Sequence, residues 1–264
     1  MDFIHPIFKW LHVFAGVMWI GLLYFFNFIN GAFAGTMDSE TKQKVVPELM
    51  PRALYWFRWG AAWTWITGIV LLYVIFWHGS LSMGESVGNY MFENGAMVTM
   101  WSHLMIAFTF LAVFIYDFLY KSPIASNLRL VTIIAFLLIA GTEYLMIHFG
   151  QFSYRAFNIH IGAMFGTIMA FNVWFRIWPA QQKIITAIKN GEGPNGDDVA
   201  LAGLRSKHNT YMSVPLFWTM INEHTVIMSG KLFNISGLVL LIIIAIGWHI
   251  VFQFYKKSSR IKGF

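Results

Sequence analysis

The chain has 264 residues, of which 58% are hydrophobic and only 11% are charged, and its mean hydropathy is +0.60. An ordinary soluble domain has about 25% charged residues, so this composition excludes one and indicates a membrane protein. The net charge of +6 comes from Lys and Arg residues between apolar segments, which is a signal of topology and not of nucleic-acid binding. Cysteine is absent, which excludes disulfides, iron–sulfur clusters and covalently attached c-type haem.

Seven apolar segments are long enough to cross a hydrocarbon core of about 30 Å, which takes about 20 helical residues. We therefore predict an all-α bundle of about seven transmembrane helices, in a single domain that covers 1–264. The sixth segment is the most polar of the seven, because it holds Pro215, Asn222, Glu223 and His224. The predicted helices are 7–30, 57–78, 97–119, 129–149, 157–178, 209–230 and 235–255.

Basic residues are distributed unequally between the two sides of this predicted bundle. Fifteen lie after the first, third and fifth helices or at the C-terminus, and three lie on the opposite side. The positive-inside rule places the larger set in the cytoplasm. We therefore predict an N-terminus outside the membrane and a cytoplasmic C-terminus, with a lipid bilayer as the surroundings.

Histidines gather toward one face of the predicted bundle. Seven of the nine fall in the first turns of inward-running helices or the last turns of outward-running ones, near the outer leaflet. An ionisable side chain in the membrane is costly, so such histidines are candidates for a functional site. The alternative for each is a structural histidine with a hydrogen-bond partner, or one at the wet interface.

Imidazoles from different helices suit bis-histidine ligation of b-type haem, which also needs an apolar slot and cations for the propionates. We predict one or two b haems, with Arg155 as the propionate partner. Zinc or copper is the competing interpretation, although no carboxylate or thiolate lies at compact ligand spacing to the histidines. The candidate iron ligands are His12, His103, His160 and His224.

Besides Glu223 in the sixth segment, two acidic residues lie within the predicted helices. Asp117 is near the inner end of the third helix, where an interfacial position explains it. Glu143 is deeper, about two turns from the outer end of the fourth helix and near the histidine layer. It is a candidate proton relay, and a structural hydrogen bond to a neighbouring helix is the alternative.

The chain also contains four distinctive segments in a fixed order: HVFAGVMWIGLLYFFNFIN (12–30), WTWITGIVLLY (63–73), RAFNIHIGAMFGTIMAFNVWFRIWPAQQKIITAIKNGE (155–192) and RSKHNTYMSVPLFWTMINEH (205–224). Together they resemble the membrane domain of the bacterial membrane-bound urate oxidases, also called urate hydroxylases. The resemblance covers essentially the whole chain and is strongest from Arg155 to His224.

In that family a multi-helix membrane domain precedes a C-terminal cytochrome c domain, and urate oxidation is linked to respiration. The resemblance implies a location in the bacterial inner membrane. This chain has no C-x-x-C-H motif, so we expect a separate c-type cytochrome or respiratory complex as its partner. The resemblance implies that the family's motif positions are occupied here by His12, Arg155, His160, Asn172, His208, Asn209 and His224.

We therefore expect a haem b membrane oxidoreductase that oxidises urate or a related small molecule and passes electrons to a periplasmic cytochrome c or respiratory partner. His208, Asn209 and Tyr211, at the cytoplasmic start of the sixth helix, carry donors and acceptors that suit a purine. Contact with lipid head groups is the alternative for these three. Two other functions stay open: a non-catalytic electron-transfer or anchor subunit of a respiratory complex, and a transporter of metal or small solutes.

Overall fold

Nine α-helices make up most of the part of the chain that the computed structural model describes, namely residues 3–78, 80–81, 90–92, 96, 98–222, 225, 228 and 233–261. The helices are α1 (Ile4–Tyr24), α2 (Gly31–Thr36), α3 (Ser39–Leu72), α4 (Met100–Leu119), α5 (Leu128–His148), α6 (Tyr154–Asn172), α7 (Trp178–Lys189), α8 (Gly196–Ile221) and α9 (Phe233–Ser258). The all-α prediction is confirmed.

In the described part of the chain, three π-helical segments continue α-helices instead of ending them. Phe25–Asn30 joins α1 to α2, Tyr73–Trp77 extends α3, and Val173–Ile177 joins α6 to α7. The resulting continuous helices have 33, 39 and 36 residues, or about 50–58 Å at 1.5 Å per residue. Each is therefore longer than the hydrocarbon core of a bilayer, and π-helical turns are frequent at functional sites.

Polar side chains cap the first turns of α3, α4 and α5. Thr99 and Ser102 form a reciprocal capping box at the start of α4, and Asn127 accepts from the Leu130 amide at the start of α5. Asp38 accepts from the Thr41 amide at the start of α3, and this bond lowers the pKa of the Asp38 carboxyl group. These caps satisfy amide groups that the first helical turn leaves without a partner.

Six described helices are long and apolar enough to cross a membrane, which makes the protein a multi-pass membrane protein. In five of them most residues of the apolar stretch are not buried, whereas in the helix that begins with α6 most of them are. The six are Ile4–Thr36, Ser39–Trp77, Met100–Leu119, Leu128–His148, Tyr154–Lys189 and Asn234–Ser258.

The sixth predicted helix, 209–230, differs most from the structure. Its first part belongs to α8, which begins at Gly196 and is not among the six apolar helices. The reason is that the first half of α8 carries Asp197, Asp198, Arg205 and Lys207. The remainder of the predicted helix, including Glu223 and His224, lies partly outside the described residues.

The chain divides into two compact units. A close approach of α1 and α3 in the second unit requires Gly60, because a Cβ atom there would lie 3.2 Å from the Trp19 backbone nitrogen. The first unit consists of Met1–His5, Ile69–Ile168 and Pro215–Ile246, and the second of Pro6–Gly68, Met169–Val214 and Gly247–Phe264.

Candidate functional site

His160, in the second turn of α6, is completely buried in the first unit. Its Nδ1 atom lies 2.7 Å from the carbonyl oxygen of Ala156, and because a carbonyl only accepts, Nδ1 carries the proton. The indole Nε1 of Trp77 donates to Nε2 of His160 at 3.0 Å. His160 is therefore a neutral imidazole with both ring nitrogens bonded.

Aromatic rings enclose the same imidazole. The ring centroids of Phe152, Trp77 and Phe76 lie 5.0, 6.0 and 6.1 Å from that of His160. Phe76 and Trp77 both belong to the π-helical end of α3, which directs the indole toward α6. For Nε2 of His160 to bind iron, the Trp77 side chain must first leave, so this surrounding does not fit a haem in the conformation described.

His12, in α1, belongs to the second unit and is bonded differently. Its Nδ1 lies 2.9 Å from the Thr64 carbonyl oxygen and 3.2 Å from Thr67 Oγ1. Nδ1 must donate to the carbonyl, so Nε2 carries the lone pair, and it has no hydrogen-bond partner among the described residues. A Cβ atom at Gly68 would lie only 3.0 Å from His12 Cε1, so glycine makes room for the ring.

This arrangement matches a common way of holding a metal-binding histidine. In metal sites the ring nitrogen that does not bind the metal usually donates to a carboxylate or a backbone carbonyl, which fixes the tautomer and the ring orientation. Thr64 supplies such a carbonyl to Nδ1 of His12, and Nε2 remains available to bind a metal. The residues around His12 therefore fit a histidine that could bind a metal such as haem iron through Nε2.

The structure shows no comparable ligand geometry around the other predicted haem residues in its described part. His103, in the first turn of α4, is exposed, and its Nδ1 lies 3.0 Å from the Thr99 carbonyl oxygen. Arg155 is half-buried, with its guanidinium 4.6 Å from the centre of the Tyr90 ring. His224 lies outside the described residues. Among the residues that are described, no group of three or more His, Asp or Glu side chains could hold a metal ion.

Asn209, one of the predicted substrate residues, is fully buried and joins α8 to α6 in the second unit. Its Nδ2 donates to the Met169 carbonyl oxygen at 3.0 Å, and its Oδ1 accepts from Nδ2 of Asn172 at 2.9 Å. Both the nitrogen and the oxygen of the Asn209 amide thus form hydrogen bonds from α8 to α6. A substrate that contacts Asn209 has to replace one of these bonds.

Tyr211 lies one turn from His208 and stacks on Tyr255 of α9, with ring centroids 6.0 Å apart and planes at 19°. The Tyr255 hydroxyl donates to Oδ1 of Asn27 at 2.8 Å, and Nδ2 of Asn27 donates to Ser206 Oγ at 2.8 Å. Asn27 belongs to the π-helical segment Phe25–Asn30. A polar network therefore fixes the Tyr211–Tyr255 pair, one helical turn along α8 from the half-buried His208.

Arg205 is a site residue that the sequence does not reveal, because a charge beside an apolar segment normally indicates topology. It is 1% exposed and lies three and four positions before His208 and Asn209 on α8. Residues at these spacings share one helix face, and that spacing is the signal that could have found it. Arg205 and Lys207 place positive charge next to the His208 imidazole. This part of α8 is therefore electrostatically suited to an anion.

Glu143, in α5 of the first unit, is 3% exposed. Its Oε1 atom has no hydrogen-bond partner in the described part of the chain. A Cβ atom at Gly237 of α9 would lie 3.3 Å from both Oε1 and the carboxyl carbon. The carboxyl group therefore occupies the space that the missing side chain of Gly237 leaves.

Comparison with known families gives a match over residues 32–263, to the family described as urate oxidase N-terminal. The chain belongs to the urate oxidase N-terminal family. The match covers most of the chain and confirms the resemblance drawn from the sequence segments. No protein of curated function and no solved structure matches the chain.

Membership in the urate oxidase N-terminal family accounts for the multi-pass membrane architecture. The matched region includes His160, Glu143 and the α8 cluster of Arg205, His208 and Tyr211. His12 precedes the matched region, so its assignment as a ligand depends on the local geometry around Thr64.

Proposed function

We propose that this urate oxidase N-terminal domain is the membrane part of a haem b oxidoreductase of the bacterial inner membrane. It oxidises urate or a related purine anion, and a periplasmic c-type cytochrome or respiratory partner receives the electrons. The family match over residues 32–263 carries the proposal. The geometry of His12 supports the haem part of it.

A bound haem b would supply a one-electron acceptor. His12 would hold the iron through Nε2, because the Thr64 carbonyl keeps Nδ1 protonated and the ring oriented. Arg155, which belongs to the first unit, is the candidate partner for a propionate of a haem bound there. Within the first unit, His103 and His224 remain candidate haem ligands in their own right, and His160 joins them only if Trp77 moves away.

The substrate part of the proposal concerns α8 in the second unit. Urate is an anion at neutral pH, and the positive charges of Arg205 and Lys207 next to His208 favour an anion. The fixed pair of Tyr211 and Tyr255 offers an aromatic surface to a flat heterocycle. A hydroxylation that takes its oxygen from water releases two electrons and two protons. It therefore needs a proton acceptor, and the His208 imidazole is suited to that role.

Two measurements test the haem part of the proposal. One is an absorption spectrum of the detergent-purified protein, oxidised and then reduced with dithionite, and the other is a pyridine haemochrome assay. We expect a low-spin b-type spectrum that His12→Ala diminishes or abolishes. The control is His249→Ala, because His249 is exposed in α9. A colourless protein from cells supplied with haem contradicts the proposal and favours a transporter or an anchor subunit.

Reduction by urate tests the substrate part separately. We expect urate to reduce the haem of the wild-type protein, and His208→Ala to lose this reaction while it keeps the dithionite-reduced spectrum. Haem that dithionite reduces but urate does not would favour an electron-transfer subunit without its own catalytic site.

A further inference from the structure

Glu143 is a buried acid in a membrane-spanning helix. It lies five residues before α5 ends at His148, which is about 8 Å along the helix axis. Its side chain is almost completely buried, and Oε1 has no hydrogen-bond partner in the described part of the chain. An ionised carboxylate in such surroundings is strongly disfavoured, whereas a neutral carboxylic acid avoids most of that cost.

In the described part of the first unit, the charged groups on α4, α5 and α9 do not balance the negative charge that Glu143 would carry if ionised. On α4, which packs against α5, His103 is exposed, and Asp117 forms an ion pair with Lys121 at 2.8 Å. On α5 itself His148 is exposed at the helix end. The portion of α9 in this unit, from 233 to 246, has no ionisable side chain.

The surroundings of the carboxyl group are also sterically defined. Gly237 lies against it, and an added Cβ would approach Oε1 and the carboxyl carbon to 3.3 Å. The same Cβ would lie 3.2 Å from Cδ1 of Ile147, one turn further along α5. The acid group therefore lies between apolar side chains and the backbone of α9, about one and a half turns from the end of α5.

We propose that Glu143 is a proton-binding site within the membrane domain. Its carboxyl group rests as the neutral acid and exchanges its proton with water at the nearer membrane face. In this exchange an O–H bond of the acid breaks, the proton moves to water, and a proton from water later restores the bond without electron transfer. The site goes beyond the proposed oxidation, because proton binding at Glu143 requires neither haem nor urate.

Infrared spectroscopy of the purified protein in H₂O and D₂O tests this inference. We expect a carbonyl stretching band of a protonated carboxylic acid that is present at neutral pH, shifts in D₂O and disappears in Glu143→Gln. Glu48→Gln is the matched control, because Glu48 is exposed and pairs with Arg52, and it should leave the band unchanged.

Gly237→Ala provides a second variant if Glu143→Gln fails to fold. Its added methyl group presses on the carboxyl group, so the band should change frequency while it remains present. A band that persists unchanged in Glu143→Gln, or the absence of any such band from the wild-type protein, overturns the neutral acid. A band that D₂O never shifts overturns the proton exchange.

Discussion

The hydrogen bonds of individual imidazoles distinguish two histidines that the sequence treats alike. His12 and His160 both donate from Nδ1 to a backbone carbonyl, of Thr64 and Ala156 respectively. Only His160 has its second nitrogen bonded, by Trp77. The lone pair of His12 is therefore available to a ligand, whereas that of His160 has a protein partner in the described conformation.

Trp77→Phe removes the donor to the buried Nε2 of His160. We expect the free energy of unfolding to fall by about 1–3 kcal/mol, because a buried acceptor is left unpaired. Chemical denaturation of the detergent-purified protein measures this change, and a double-mutant cycle with His160→Phe separates the bond from the lost ring volume. Trp63→Phe, at an exposed position on α3, is the control. A coupling energy near zero would show that this bond does not form in the purified protein.

Asn209→Ala removes the α8 amide that accepts from Asn172 and donates to the Met169 carbonyl of α6. We expect a loss of about 1–3 kcal/mol in the free energy of unfolding, since these groups are buried. Thermal unfolding in detergent measures it, with Asn190→Ala at an exposed position as the control. If Asn209→Ala were as stable as the control and yet lost reduction by urate, Asn209 would be a substrate residue and not a helix-pairing one.

At the scale of helices, two glycines of α6 that look equivalent in sequence have different surroundings. A Cβ atom at Gly162 would lie 2.0 Å from Thr219 Oγ1 and 2.8 Å from Thr219 Cβ on α8, within the first unit. A Cβ atom at Gly166 would meet nothing within 4 Å. Close approach of helix backbones at small residues is a usual way of packing membrane helices. Gly162 therefore sets the distance between α6 and α8.

Gly162→Ala should destabilise the protein by about 1–3 kcal/mol or prevent folding, because the helices must separate to admit the methyl group. Gly166→Ala should be neutral or stabilising, since alanine is the better helix former by about 1 kcal/mol. Folded yield and the thermal midpoint in detergent compare the two variants. Thr219→Ala should partly rescue Gly162→Ala, because it removes the hydroxyl at 2.0 Å but keeps the Cβ atom. Equal effects of the two glycine substitutions would contradict this packing.

At the scale of the whole molecule, the six apolar helices establish a multi-pass membrane protein, while the direction of each crossing stays a prediction from the charges. α8 has 26 residues, about 39 Å, which is long enough to cross the hydrocarbon core. If α8 crosses, the loop before it and the C-terminus lie on the same side, since α9 crosses back.

Single cysteines can test this topology, because the native chain has none. We expect Asn195→Cys, before α8, and Ser259→Cys, after α9, to react with a membrane-impermeant maleimide only after the cytoplasmic side is opened. Gln151→Cys, between α5 and α6, should react in intact spheroplasts. Labelling of positions 195 and 259 from opposite sides would show that α8 does not cross the membrane.

By itself the sequence determined the membrane class, the all-α fold, the family and most helix positions. These properties follow from hydropathy, helix length and segment order, which are read along the chain. The predicted helices 129–149 and 97–119 agree closely with α5 and α4. The first and fifth predicted helices were too short, because bilayer thickness does not reveal that π-helical turns continue them into α2 and α7. The second was too short at its start, because α3 already begins at Ser39, in a segment too polar to be read as a membrane span.

Only the tertiary structure decided what each polar residue bonds to. Trp77 and His160 are 83 residues apart in the chain, and Asn172 and Asn209 are 37 apart, so no local pattern predicts either pair. The sequence does not predict the burial of Arg205 either, since a charge between apolar segments normally indicates a loop. Hydrogen bonds and burial depend on which helix faces meet, and packing of helices distant in sequence determines that.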